Sequence, residues 1–166
     1  PHHHSSAASD VYKRQSIHLT NLDEPGTQTL ILCPTRELCM QVANDLRAYS
    51  KYIDKLGIVS IYGGASIEKQ IKSIKKRSHI VVGTPGRTKD LLTRKKLFID
   101  KVQRIVLDEA DEMLSMGFKD DLDFILSKIT GESQKLLFSA TMPKKVESIV
   151  KQYMNDPVNI AVDRAV

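Results

Sequence analysis

Cysteine is scarce in this chain, with two in 166 residues, Cys33 and Cys39. Cys33 falls at the end of a strand-like run and Cys39 in the helix that follows, so both read as small buried hydrophobes rather than a disulfide or metal pair. Long apolar runs are missing as well. No stretch approaches the roughly 18 residues that a bilayer-spanning helix requires, and no secretory signal is visible. These absences lead us to expect an intracellular, cytoplasmic protein with no membrane association. Glycine is absent from the first fifteen residues, so no loop of backbone amides can wrap a pyrophosphate there.

What is present suits one globular unit. A length of 166 residues makes a single domain the default. A hydrophobic share of 41% with mixed charge argues against disorder. The net charge of +5 permits a polyanionic partner without demanding one. Residues 1–15 read as a non-native or disordered leader, because His2, His3 and His4 precede a serine and alanine run, and residues 10–15 show no helix or strand period. Residues 16–166 are the expected domain, with Ile17, Leu19 and Leu22 closing a helix before a Pro-Gly turn.

The chemistry is concentrated in Arg104-Ile-Val-Leu-Asp-Glu-Ala-Asp-Glu-Met-Leu114. Ile105, Val106 and Leu107 make an unbroken apolar run of the kind covered on both faces of a sheet. The run ends in Asp108, Glu109 and Asp111, which places carboxylates at the carboxyl edge of a parallel sheet, where open α/β folds bind ligands. Crowded acids there repel one another, and a hydrated divalent cation held against a phosphate relieves that repulsion. The alternative is that the acids only cap the next helix.

Four further segments each follow a strand-like run. Pro34-Thr35-Arg36-Glu37-Leu38 opens a helix of about fourteen residues with Leu38, Val42 and Leu46 on one face. Thr35 and Arg36 can grip a nucleic-acid phosphate at that turn, or serve as a helix start with a solvated arginine. Gly63-Gly64 allows close backbone approach or a left-handed turn. Thr84-Pro85-Gly86-Arg87 suits a helix N-terminus whose amides and dipole favour an anion. Ser139-Ala140-Thr141 offers hydroxyls that can bond a carboxylate, while Thr141 can also cap the helix starting at Pro143. Between these segments, the lysines of residues 66–77 form a solvated face, and residues 158–161 read as a last strand.

In this order, the five segments resemble the DEAD-box RNA helicases over roughly residues 16–163. The resemblance implies a RecA-like three-layer α/β sandwich with a mostly parallel sheet, and the strand alternation agrees with it. It also implies ATP and magnesium as cofactors, with Asp108 holding the ion through water and Glu109 activating the attacking water. Asp111, Ser139 and Thr141 would couple nucleotide state to RNA grip. The implied RNA contacts are Thr35, Arg36, Gly63, Gly64, Thr84, Gly86 and Arg87, holding the backbone without reading sequence. A second RecA-like domain of the same parent protein is the other implied partner. Thr88 departs from the family pattern, making the first helical turn polar without touching the matching residues.

The family's adenine-reading glutamine motif and its phosphate loop, G-x-x-x-x-G-K-[ST], are not found. This chain alone is therefore expected to bind ATP poorly and to be inactive, as a fragment of a helicase that remodels short RNA duplexes. The alternative is a non-catalytic, sequence-independent RNA-binding module. The missing phosphate-loop strand would lie between the strand ending at Phe138 and residues 158–161. The expected result is lower stability, or a last strand shifted to close the gap.

Overall fold

In the computed structural model, which describes residues 7–129 and 132–161, every strand-to-strand pairing is parallel. The histidines His2, His3 and His4 lie outside the described residues. The elements run α1 (Ala7–His18), β1 (Thr29–Leu32), α2 (Arg36–Tyr49), β2 (Ile58–Ile61), α3 (Ile67–Lys76) and β3 (Ile80–Gly83). They continue with α4 (Pro85–Thr93), β4 (Arg104–Leu107), α5 (Ala110–Ser115), α6 (Lys119–Lys128), β5 (Gln134–Leu137) and α7 (Lys144–Tyr153). The strand order is β2-β3-β1-β4-β5.

Apolar side chains alternate across the sheet and divide the interior in two. Leu30, Leu32, Ile61, Val81, Ile105 and Leu107 face a cluster supplied by α3 to α7. Ile31, Cys33, Ile80, Val82 and Val106 face the other, supplied by α1 and α2. Helices therefore cover both faces, giving the expected three layers. Cys33 and Cys39 are free thiols and fully buried, as their reading as small hydrophobes required.

Two expectations fail at the ends of the described chain. Residues 158–161 form no strand, and Val158 and Ile160 are exposed. An alternating apolar pattern makes a strand only where a neighbour completes its hydrogen bonds. Among the described residues, β5 pairs with β4 alone, so nothing has moved to its free side. At the other end, residues 7–15 are not unstructured but belong to α1. Its buried positions are Ser9, Tyr12, Lys13, Ser16 and Ile17, a helical stripe written largely in polar letters. Lys13 is buried because its ammonium pairs with Asp45 at 2.7 Å, which no hydropathy pattern reveals.

The carboxyl end of β3 is packed to its limit. A Cβ on Gly83 would overlap Thr88 Oγ1 and come within 2.7 Å of Ile61 Cγ1. Gly83→Ala is expected to destabilise the fold by about 1–3 kcal/mol, through overpacking. Urea denaturation measures this; an unchanged midpoint at unchanged slope would show that the sheet and α4 part freely there.

Candidate functional site

Parallel register brings the ends of all five strands to one rim. Leu32 pairs with both Gly83 and Leu107, Gly83 also pairs with Ile61, and Leu107 pairs with Leu137. The residues immediately beyond this row are the segments singled out in the sequence. The connections leaving β1 and β4 run in opposite directions across the sheet, because β1 leads to β2 and β4 leads to β5. Neighbouring strands whose connections diverge open a crevice at their carboxyl ends. That crevice lies between Thr35-Arg36 and Asp108-Glu109.

Asp108 extends the β4 ladder, its amide donating to the Leu32 carbonyl at 2.9 Å. Its carboxylate is half-buried and accepts a hydrogen bond from the Tyr12 hydroxyl at 2.9 Å. Burial pushes this carboxyl up from its ordinary range, against the opposing pull of the Tyr12 hydroxyl and the Lys13 ammonium. Burial and the nearby Asp108 charge push the Tyr12 phenol upward, so it remains a donor. Neighbouring Glu109 is exposed and stands at φ 52°, ψ 53°, the left-handed region that costs a side-chain-bearing residue about 1 kcal/mol or more. Its side chain does not cap α5, so a helix cap does not explain this acid.

Asp111, Ser139 and Thr141 meet as expected. The Asp111 Oδ2 accepts from the Thr141 hydroxyl at 2.8 Å and from its amide at 3.1 Å. The Asp111 amide donates to Ser139 Oγ at 3.2 Å, and the Ser139 hydroxyl donates to the Thr141 carbonyl. Desolvation pushes the Asp111 carboxyl up, but the bonds donated by Thr141 and the Glu112 amide outweigh it and hold the group below the usual range. Thr141 does not cap the next helix; Pro143 occupies that position without a side-chain cap, and the hydroxyl is committed to Asp111.

On the other half of the rim, Thr35 caps α2 by accepting from the Leu38 amide at 3.2 Å. Arg36 is exposed, and its guanidinium lies 4.9 Å above the Tyr62 ring. Gly64 has φ +80°, and a Cβ there would stand 4.0 Å from Arg36 Nη1. A Cβ at Gly63 would meet nothing within 4 Å, so the backbone there is open to approach. Thr84 caps α4 without a side-chain bond, and Pro85 follows at the first helical position. Gly86 lies near Asp121, whose Oδ2 would be 3.9 Å from a Cβ at that glycine. Arg87 turns back on the protein, with Nη1 donating to the Ala65 carbonyl at 3.2 Å and to Gln70 Oε1 at 2.8 Å.

Sequence reasoning does not find Tyr62 and Gln70, which carry the two arginines; only the aromatic beside a glycine pair could have signalled the first. Thr88, expected to add polarity to the first helical turn without touching the matching residues, is instead fully buried, and its hydroxyl donates to the carbonyl of Thr84 at 2.7 Å. A threonine on a helix reaches back four residues in this way, which a polarity reading does not anticipate.

Comparison with known proteins places this geometry among relatives. The family description DEAD/DEAH box helicase matches residues 11–149. RNA helicase CrhR of Synechocystis sp. is 51% identical over 139 residues, covering 84% of this chain and 28% of that protein. A DEAD box protein from the hyperthermophile Methanococcus jannaschii superposes with a TM-score of 0.85 at 42% identity, over 93% of this chain and 42% of that one. A hypothetical ATP-dependent RNA helicase from Sulfolobus tokodaii gives 0.83 at 32% identity, over 93% and 44% respectively. The chain thus spans less than half of each of these proteins.

Removing the Thr141 hydroxyl takes one donor from Asp111. In Thr141→Val the Asp111 carboxyl is expected to titrate higher, closer to an ordinary aspartate, in an NMR titration of side-chain carboxyl carbons. Because the folded-state value lies below the unfolded one, Asp111 contributes stability above the unfolded pKa, and that contribution is lost as pH falls through the folded pKa. The variant should lose part of this contribution at pH above the unfolded pKa, and the difference from the unsubstituted chain should shrink as pH falls through the folded pKa. An unmoved Asp111 titration would show that the Thr141 hydroxyl does not hold the carboxylate.

Proposed function

We propose, from the premise that the chain belongs to the DEAD/DEAH box helicase family, that it supplies one RecA-like core of an ATP-dependent RNA helicase. The observation that carries this reading is the single rim, on which the carboxylates of β4, the hydroxyls after β5 and the arginines after β1 and β3 stand side by side. Acids for a metal-bound phosphate and cations for a polyanion then serve one ligand-bearing edge.

Magnesium fits the donor set. It prefers one or two carboxylates together with waters and substrate phosphates. Asp108 offers one partly desolvated carboxylate whose raised pKa reflects incomplete compensation of its charge. Asp108 would hold the ion through water, and the ion would neutralise charge on the phosphate oxygens. Glu109, exposed beside it, would orient and activate the attacking water. Asp111, through Ser139 and Thr141, links the acidic loop to the segment after β5, so movement at one is felt at the other.

RNA would lie along Thr35, Arg36, Gly63, Gly64, Thr84, Gly86 and Arg87. These groups address phosphate and sugar and carry no base information. A second RecA-like domain of the same parent would close over the rim on ATP and bend one strand, separating a short duplex. No described helix is long and apolar enough to cross a membrane, and a cytoplasmic location belongs to this proposal. A second reading is a non-catalytic RNA-binding module. It is favoured by the lack of a G-x-x-x-x-G-K-[ST] segment in the chain, since the nucleotide then lacks most of its phosphate ligands.

Fluorescence anisotropy with single-stranded RNAs of differing sequence tests the RNA half. Similar affinities are expected across sequences, and Arg36→Ala should reduce the slope of log affinity against log salt by about 0.7, the value of one phosphate on a single strand. Binding that ignores salt, or that selects one sequence, contradicts it. No RNA-stimulated ATP turnover is expected from this chain alone; turnover that disappears in Glu109→Gln would overturn that expectation.

A further inference from the structure

We propose that Gln70 is a positioning residue that sets the guanidinium of Arg87 for a nucleic-acid phosphate, an assignment that rests on the RNA-backbone reading above. Gln70 is buried on α3 at 7% exposure, on a helix whose isoleucines Ile67, Ile71 and Ile74 are only partly buried and whose lysines are exposed. A buried primary amide must satisfy both its ends, and this one does so across two different segments. Its Nε2 donates to the Tyr62 carbonyl at 3.1 Å, and its Oε1 accepts from Arg87 Nη1 at 2.8 Å.

The orientation of that amide is forced. The Tyr62 carbonyl can only accept and a guanidinium can only donate, so a flipped amide would oppose like to like at both ends. Tyr62 therefore anchors the amide with its oxygen facing Arg87. The same Arg87 nitrogen also donates to the Ala65 carbonyl at 3.2 Å, which uses both of its hydrogens. What remains is the Nε and Nη2 edge of the guanidinium. That edge is the planar fork that pairs with two oxygens of one phosphate.

The arrangement also joins the two arginines of the rim. Tyr62, whose carbonyl Gln70 holds, carries Arg36 over its ring at 4.9 Å. One buried amide thus ties the loop after β2, which bears Gly63 and Gly64, to the first turn of α4, which bears Gly86 and Arg87. An arginine held in one rotamer before binding loses less freedom when it binds. Without Gln70, Nη1 keeps a single bond, and the fork swings.

A double-mutant cycle separates this role from simple structural support. For single-stranded RNA bound by the chain at fixed salt, Gln70→Leu is expected to weaken affinity by between about twofold and tenfold, the range that ordering one long side chain represents. In the Arg87→Ala background the same substitution should change affinity by less than about twofold, because the group it positions is gone. Equal losses in both backgrounds would overturn the assignment, as would no loss in the first. Should leucine unfold the chain, as a thermal melt would show, Gln70→Ala gives the same comparison with the strongest helix former in place. If the unsubstituted chain shows no salt-dependent binding, the RNA reading itself falls, and this assignment with it.

Discussion

Parallel hydrogen bonding in register is the constraint on which the rest of this molecule depends. Because Leu32 is matched with both Gly83 and Leu107, and these in turn with Ile61 and Leu137, five chain segments far apart in sequence must leave the sheet at the same level. A shift of one residue in any strand would exchange its two faces, sending Leu32 and Leu107 into the wrong cluster. Burial of the apolar rows therefore fixes the position of the polar residues beyond them. The rim is a consequence of the core.

Two kinds of local arrangement then specialise that rim. On the acidic side the chain is held against its preferences. Asp108 is partly desolvated, and Glu109 occupies a left-handed conformation that glycine would adopt more readily. Strain and incomplete charge compensation of this kind persist where surrounding structure enforces them, and they concentrate at functional positions. On the basic side the opposite holds. Arg36 rests on Tyr62, and Arg87 is tethered by Gln70 and Ala65, so the cations are supported before any ligand arrives. An edge with an incompletely compensated anion at one end and pre-set cations at the other is what the proposed pairing of a metal-bound phosphate with a polyanion calls for.

Much of this was legible in the residues. Ile105, Val106 and Leu107 announce a strand buried on both faces, and the placing of Asp108 immediately after them predicts a rim carboxylate. Cys33 and Cys39 are the buried thiols that their positions implied. The failures share a physical cause, which is that each depended on a partner invisible to a local pattern. Lys13 is buried only because Asp45 reaches it, so α1 looked unstructured. Residues 158–161 have the alternation of a strand but pair with no strand among the described residues. Of the two readings of Thr141, the bond to Asp111 holds and the helix cap does not, while Thr88, read as leaving the matching residues untouched, closes on the Thr84 carbonyl. Gln70 sits in a lysine-rich helix where nothing marks it, and only the folded chain brings it between Tyr62 and Arg87.

The central claim is that one rim of the sheet is the polyanion-binding edge, and backbone amide chemical shifts report on it residue by residue. Titration of the isotope-labelled chain with single-stranded RNA is predicted to move the amides of Thr35, Arg36, Gly63, Gly64, Gly86 and Arg87 together, with one saturation curve. Shifts concentrated instead on the outer lysines of α3, at Lys72, Lys75 and Lys76, with the rim amides unmoved, would contradict it.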